Sequence, residues 1–83
     1  MIDIKEINKI EKKEDFTNFI SQLIKSYDNS SNWENKDLKD YLEGLGSWIE
    51  DMDGFFENMN IDKPENINWK FIAMTLSAAT VYE

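Results

Sequence analysis

The chain has 83 residues, a formal net charge of −8, and no cysteine, histidine or arginine. These absences exclude cysteine nucleophiles, Ser-His-Asp catalysis, disulfide bonds and the usual thiolate or imidazole zinc site. The length allows one domain, so we expect a single helical domain over residues 1–83, with no cofactor.

The first two elements follow from apolar spacing. Ile4, Ile7 and Ile10 recur at helical intervals and favour a short amphipathic helix over 3–10, although Ile2 and Ile4 also alternate as in a brief edge strand. A second helix is predicted over 14–28, ended by a polar run at 28–32. Its continuous apolar stripe consists of Phe16, Phe19, Ile20, Leu23, Ile24 and Tyr27.

The third element is a long helix predicted over 36–58, with Asn35 as the best N-cap candidate. Gly44 and Gly46 lie inside it, and each is explained either as a tolerated weakness or by close approach of a neighbour. Asp53-Gly54 is a turn signal, so a bend is predicted near Gly54. The apolar stripe comprises Leu38, Tyr41, Leu42, Leu45, Trp48, Ile49, Met52, Phe55 and Phe56.

The C-terminal part begins with a polar segment, 60–68, which contains the only proline and predicts a surface loop. Ten of the 14 positions in 69–82 are apolar and surround the helix axis, which is typical of a buried helix. We therefore predict a central, buried last helix over 68–82, with Trp48 and Trp69 in the core. The fold class expected is all-α, a compact bundle of about four helices.

The negative charge is concentrated in residues 30–63, where nine acidic residues and three lysines give a net charge of −6. The chain lacks the basic cluster that nucleic acids and anionic membranes require, so a basic protein partner is expected instead. No apolar run is long enough for a membrane span, and the N-terminus has no signal-peptide pattern. These features predict a cytoplasmic protein.

The acidic side chains before Gly54 in the long helix are of the type that binds calcium. Glu50, Asp51 and Asp53 surround Gly54, but an EF-hand register would place Ile49 and Asn60 at essential ligand positions. No metal site is therefore expected, and these three acids remain weak candidates. On a helical wheel Asp53 lies beside the apolar stripe, where a partly buried carboxylate would accept a backbone or tryptophan hydrogen bond.

A protein-binding surface is the stronger hypothesis for the remaining acids. Most lie broadly opposite the apolar stripe and should be solvated. The candidate steering residues are Asp40, Glu43, Glu50, Asp51 and Glu57. Trp33 precedes the helix in a polar stretch, and it either packs against Leu38 or serves as an exposed binding anchor.

Several of these residues form a pattern: WEN at 33–35, DMDGFF at 51–56, and a C-terminal set that includes Trp69 and Ala78-Ala79. The pattern resembles the bacterial family catalogued as domain of unknown function 7660, over essentially the whole chain. The family would favour alanine where Gly44 and Gly46 stand. The resemblance implies a compact, intracellular bacterial protein but carries no activity.

The leading hypothesis is a non-enzymatic acidic module that binds a basic protein. Its most concrete form is an immunity protein that neutralises a cationic toxin, which is an analogy from size and acidity. One alternative is a small-ligand or divalent-metal-binding regulator that uses Glu50, Asp51 and Asp53. Another is a structural homo-oligomer, because aromatic residues make up 13% of the chain.

Overall fold

The computed structural model describes residues 3–28 and 33–82. Within them all regular secondary structure is helical, which confirms the all-α class. The helices are α1 (Ile4–Ile7), α2 (Lys13–Asp28), α3 (Leu38–Met59) and α4 (Trp69–Ala78). Ile2 and residues 29–32 of the polar run lie outside the described residues. None of the described helices combines the length and hydropathy that a bilayer crossing requires.

The chain divides into two compact units, Met1–Trp48 and Ile49–Glu83, with the boundary inside α3. The expectation of a single domain stays a prediction. The first unit holds α1, α2 and the first half of α3. The second holds the rest of α3, the 60–68 loop and α4.

Acidic side chains accept backbone hydrogen bonds at the start of the first two helices. Asp3 accepts the Glu6 N–H at 3.2 Å and starts α1, which ends at Ile7, earlier than the predicted Ile10. Asp15 Oδ2 accepts the N–H groups of Glu11 and Lys12 just ahead of α2, and so holds the preceding turn against the helix. The predicted span of α2 agrees with the structure to within one residue.

Helix α3 begins at Leu38, two residues later than predicted, and continues without interruption to Met59. The Asp53-Gly54 pair therefore does not break the helix, and the bend predicted near Gly54 stays a prediction. Gly54 does not take the positive φ that glycine alone adopts readily, so it remains an ordinary helical residue. The long apolar stripe of α3 outweighs the turn preference of the Asp53-Gly54 pair.

The end of α3 is a Schellman motif. Asn60 has φ of 56°, in the left-handed region, and its N–H donates to the Glu57 carbonyl at 3.2 Å. The Ile61 N–H reaches back to the Phe56 carbonyl at 3.0 Å. Both Phe56 and Ile61 are half-buried, as expected for the apolar pair that accompanies this motif. The predicted loop therefore starts where the backbone reverses at Asn60.

Helix α4 differs most from its prediction. It is capped by Asn68, whose Oδ1 accepts the Phe71 N–H at 2.9 Å, and it ends at Ala78 instead of continuing to Tyr82. It has no buried residue, and Phe71 and Met74 are 62% and 64% exposed. The prediction of a central, buried last helix is wrong. A helix that is apolar on all sides is buried only if apolar elements cover it on several sides. The 60–68 loop that precedes α4 is polar and does not provide such a cover.

The core also differs from the prediction, which placed two tryptophans in it. Met52 is the one buried apolar side chain among the described residues, at 8% exposure. Trp48 and Trp69 are 39% and 46% exposed, so their assignment to the core is wrong. Each ring is therefore partly covered and partly in solvent, which is common for a side chain of this size.

Candidate functional site

The five predicted steering acids are all exposed and all belong to α3. Asp40 and Glu43 lie in its first half, in the first unit, and Glu50, Asp51 and Glu57 lie in its second half, in the second unit. Lys39 Nζ lies 3.9 Å from Glu43 Oε2, an exposed pair that contributes little to stability. The exposure predicted for most of these acids is confirmed, and their role in binding stays a prediction.

The first turn of α3 carries a close pair of carboxylates. Asp37 Oδ1 accepts the Asp40 N–H at 2.8 Å, so Asp37 performs the capping role predicted for Asn35. The negative charge of Asp37, and then a side-chain hydrogen bond with it, raise the pKa of Asp40 above its ordinary value. The sequence signal that could have identified this cap is an acidic residue three positions after Asp37.

Trp33 packs within the first unit between two tyrosines. Its ring stacks on Tyr41 at a centroid distance of 5.6 Å and meets Tyr27 edge-on at 5.2 Å. Its Nε1–H donates to Ser26 Oγ at 2.9 Å. The packing interpretation is therefore confirmed, with Tyr27 and Tyr41 as ring partners. Leu38, the partner that the sequence suggested, is 73% exposed.

These three rings border a hollow of 260 Å³ at the surface of the first unit. Leu38, Lys36 and Asp37 also line it. Sequence reasoning singled out Trp33 but missed the hollow, because it assigned Tyr27 and Tyr41 only to the apolar stripes of separate helices. The three rings meet because Trp33, which precedes α3, contacts Tyr27 of α2 and Tyr41 of α3.

The glycines of α3 differ in whether a neighbouring side chain approaches them. A Cβ added at Gly44 would lie 2.7 Å from Asn35 Nδ2, so Gly44 allows the side chain of Asn35 to approach the helix backbone. Gly46 and Gly54 have nothing within 4 Å of such a Cβ, and they are tolerated weaknesses. Asn35 therefore packs against α3 instead of capping it.

Asp53, one of the three weak metal candidates, belongs to an ion pair. Asp53 Oδ1 lies 2.7 Å from Lys63 Nζ, and its side chain is 72% exposed. The expectation that Asp53 is a partly buried hydrogen-bond acceptor is wrong, because the loop after α3 returns Lys63 to it as an ion-pair partner. Among residues 3–28 and 33–82, no three side chains are grouped as a metal site would require.

The fold and these side chains together define a small all-α protein with acids along its longest helix and a hollow lined by aromatic residues ahead of that helix. The chain belongs to the family of unknown function DUF7660, which matches residues 12–83. The resemblance stated from the WEN and DMDGFF segments is thereby confirmed. No match was found among curated proteins or solved structures.

Proposed function

We propose that this chain is a non-enzymatic acidic module that binds a basic protein in the bacterial cytoplasm. The observation that carries the proposal is the charge on α3, which bears six acidic residues and a single lysine, Lys39. Such a helix attracts a cationic surface and accelerates encounter with it. An immunity protein that neutralises a cationic toxin is the most concrete form of this module.

The placement of Glu57 supports a role for this charge beyond folding. The C-terminal end of a helix carries a partial negative charge and is stabilised by cations, yet the last turn of α3 contains no basic residue. Glu57 lies close to that end and is exposed. Its carboxylate therefore opposes helix stability there, which is a cost that binding to a basic partner would offset.

The proposal is tested by capture of tagged protein from its host's lysate at low and high salt. The test variant reverses three charges, with Asp40→Lys, Glu43→Lys and Asp51→Lys. The control reverses three exposed acids outside α3, with Glu6→Lys, Glu11→Lys and Glu65→Lys, so that both variants have the same net charge. We expect a basic protein to bind at low salt, to dissociate at high salt, and to be lost from the test variant alone.

Equal capture by both variants would contradict the role of α3. For the immunity form, the captured protein is assayed for toxicity on its own and after addition of this chain. The chain should suppress that toxicity at about equimolar ratio, and the test variant should fail to do so.

Self-association is a second candidate, favoured by the apolar side chains exposed on α4. Trp69, Phe71 and Met74 are all at least 46% exposed, and the sole charge within α4 is Lys70. Light scattering over a micromolar concentration range tests it. A monomeric mass at every concentration would overturn it, and a dimer that Phe71→Ser converts to a monomer would support it. We do not propose metal binding, because Asp53 is paired with Lys63.

A further inference from the structure

The hollow beside Trp33 has the size of a site for one side chain. Its volume is 260 Å³, below the ~300–1,000 Å³ of sites that hold drug-sized ligands. Tyr27, Trp33 and Tyr41 supply aromatic surface, and Leu38 adds an aliphatic one. The hollow is therefore suited to a single flat or extended group from a larger partner.

The polar atoms of two of these rings are already used within the protein. Trp33 Nε1–H donates to Ser26, and the Tyr27 hydroxyl donates to the Lys36 carbonyl at 3.0 Å. The rings therefore contact an occupant mainly through their aromatic surface and less through hydrogen bonds. Aromatic faces attract cations, and an arginine guanidinium stacks on them through its planar, weakly hydrated group.

The charge around the hollow also favours a cation. Asp37 lines it, and Asp40 lies directly beside Asp37 through the 2.8 Å capping hydrogen bond. The raised pKa of Asp40, caused mainly by the charge of Asp37, indicates that the two carboxylates crowd negative charge together. Lys36 contributes one opposing charge, and Lys39 lies 3.9 Å from Glu43, so the Asp37–Asp40 pair leaves an excess of one negative charge beside the hollow.

We propose that the hollow formed by Tyr27, Trp33 and Tyr41 next to Asp37 receives an arginine side chain of the basic partner. This inference rests on the proposed function, because the arginine belongs to the protein that the acidic helix attracts. The aromatic rings supply the preference for arginine, and Asp37 supplies the ion-pair partner. Lysine, with its compact and strongly hydrated ammonium, gains less from the same surface.

The test uses hexa-arginine and hexa-lysine peptides, which carry the same charge. Each is titrated into ¹⁵N-labelled protein while the indole N–H signal of Trp33 is followed, assigned by its loss in Trp33→Phe. We expect hexa-arginine to bind about threefold more tightly than hexa-lysine and to shift the Trp33 signal. Equal affinity for the two peptides, or an unchanged Trp33 signal, would overturn the proposal.

Three variants distinguish binding in the hollow from attraction by the overall negative charge of the protein. Asp37→Asn keeps a capping side chain while removing the charge, and Tyr41→Leu removes one ring. Both should abolish the arginine preference, with circular dichroism to confirm that each is folded. Glu57→Gln removes one charge from the other end of α3 and should weaken both peptides equally while the preference persists.

These outcomes distinguish the two proposals. If charge reversal on α3 abolishes capture of the basic partner but arginine is not preferred, the acidic module stands and the hollow is not its subsite. If both triple variants capture the partner equally, the proposed function fails. An arginine preference that survives both Asp37→Asn and Tyr41→Leu places peptide binding elsewhere and overturns the inference.

Discussion

The Trp33 indole N–H donates a hydrogen bond to the Ser26 hydroxyl oxygen at 2.9 Å. The same hydroxyl donates to the Leu23 carbonyl at 2.7 Å, so Ser26 links the indole to the backbone of α2. The Tyr27 hydroxyl makes a second link, to the Lys36 carbonyl. Two side-chain hydrogen bonds thus connect the last turns of α2 to the segment that leads into α3.

Truncation of Trp33 should destabilise this connection. Trp33→Ala removes the contacts with both tyrosines and the hydrogen bond, and we expect a loss of about 2 kcal/mol, below the value for a fully buried tryptophan. Trp33→Phe keeps much of the ring surface and should lose about 1 kcal/mol. Urea denaturation measures both. Leu38→Ala is the matched control and should change stability by less than ~0.5 kcal/mol, because that side chain is 73% exposed.

The glycines of α3 should respond differently to alanine. Gly46→Ala and Gly54→Ala enter open space and should each raise the free energy of unfolding by about 0.5–1 kcal/mol. Gly44→Ala gains the same helix propensity but displaces the amide of Asn35, so it should show none of that gain. An Asn35→Ala background should restore the gain at Gly44. Thermal or urea unfolding of the three glycine variants, of Asn35→Ala and of the double variant tests this. Equal gains at all three glycines would show that Asn35 does not restrict Gly44.

The left-handed residue that ends α3 gives a test of the helix boundary. Asn60→Gly should raise stability by about 0.5 kcal/mol, since glycine adopts a φ of 56° without steric cost. Asn60→Ala should lower it by about 1 kcal/mol for the opposite reason. Neighbouring Asn58 lies within the helix and serves as the control, because Asn58→Gly should destabilise. The same sign of change at both positions would contradict the Schellman motif.

The Asp37–Asp40 pair makes a prediction about pH. The folded-state pKa of Asp40 is raised, so its ionised form lowers stability, and this penalty is present above the raised pKa and vanishes as the pH falls below the ordinary value of 3.8. Asp40→Asn should therefore raise stability at neutral pH, with a gain that shrinks on acidification. In an Asp37→Asn background the sign should reverse, because an acid in the first turn then interacts favourably with the helix dipole.

Urea denaturation between pH 3 and pH 7 checks this prediction, with Asp51→Asn as a control for the loss of one negative charge from the same helix. A gain from Asp40→Asn that is the same with and without the Asp37 carboxylate would refute the coupling. A similar gain from Asp51→Asn would attribute the effect to net charge alone.

The apolar periodicity of this sequence was sufficient to predict α2 and α3, because a helix of several turns repeats its pattern often enough to be unambiguous. The same local chemistry predicted the loop that begins at Asn60 and the exposure of the steering acids. The short elements were less well predicted. Helix α1 extends over one turn, and α4 ends at Ala78 although apolar residues continue to Tyr82.

Periodicity assigns each side chain to a face of its own helix but does not say what that face meets. Periodicity did not predict whether Trp33 contacts Leu38 or the two tyrosines. It also did not predict which glycine a neighbouring side chain approaches. Both depended on the path of the chain between helices. So did the pairing of Lys63 with Asp53, ten residues away. The amino-acid sequence alone determined the helical class, the acidic charge and the family. The tertiary structure alone decided which aromatic rings meet, because Trp33 lies outside both helices and no helical periodicity predicts its neighbours.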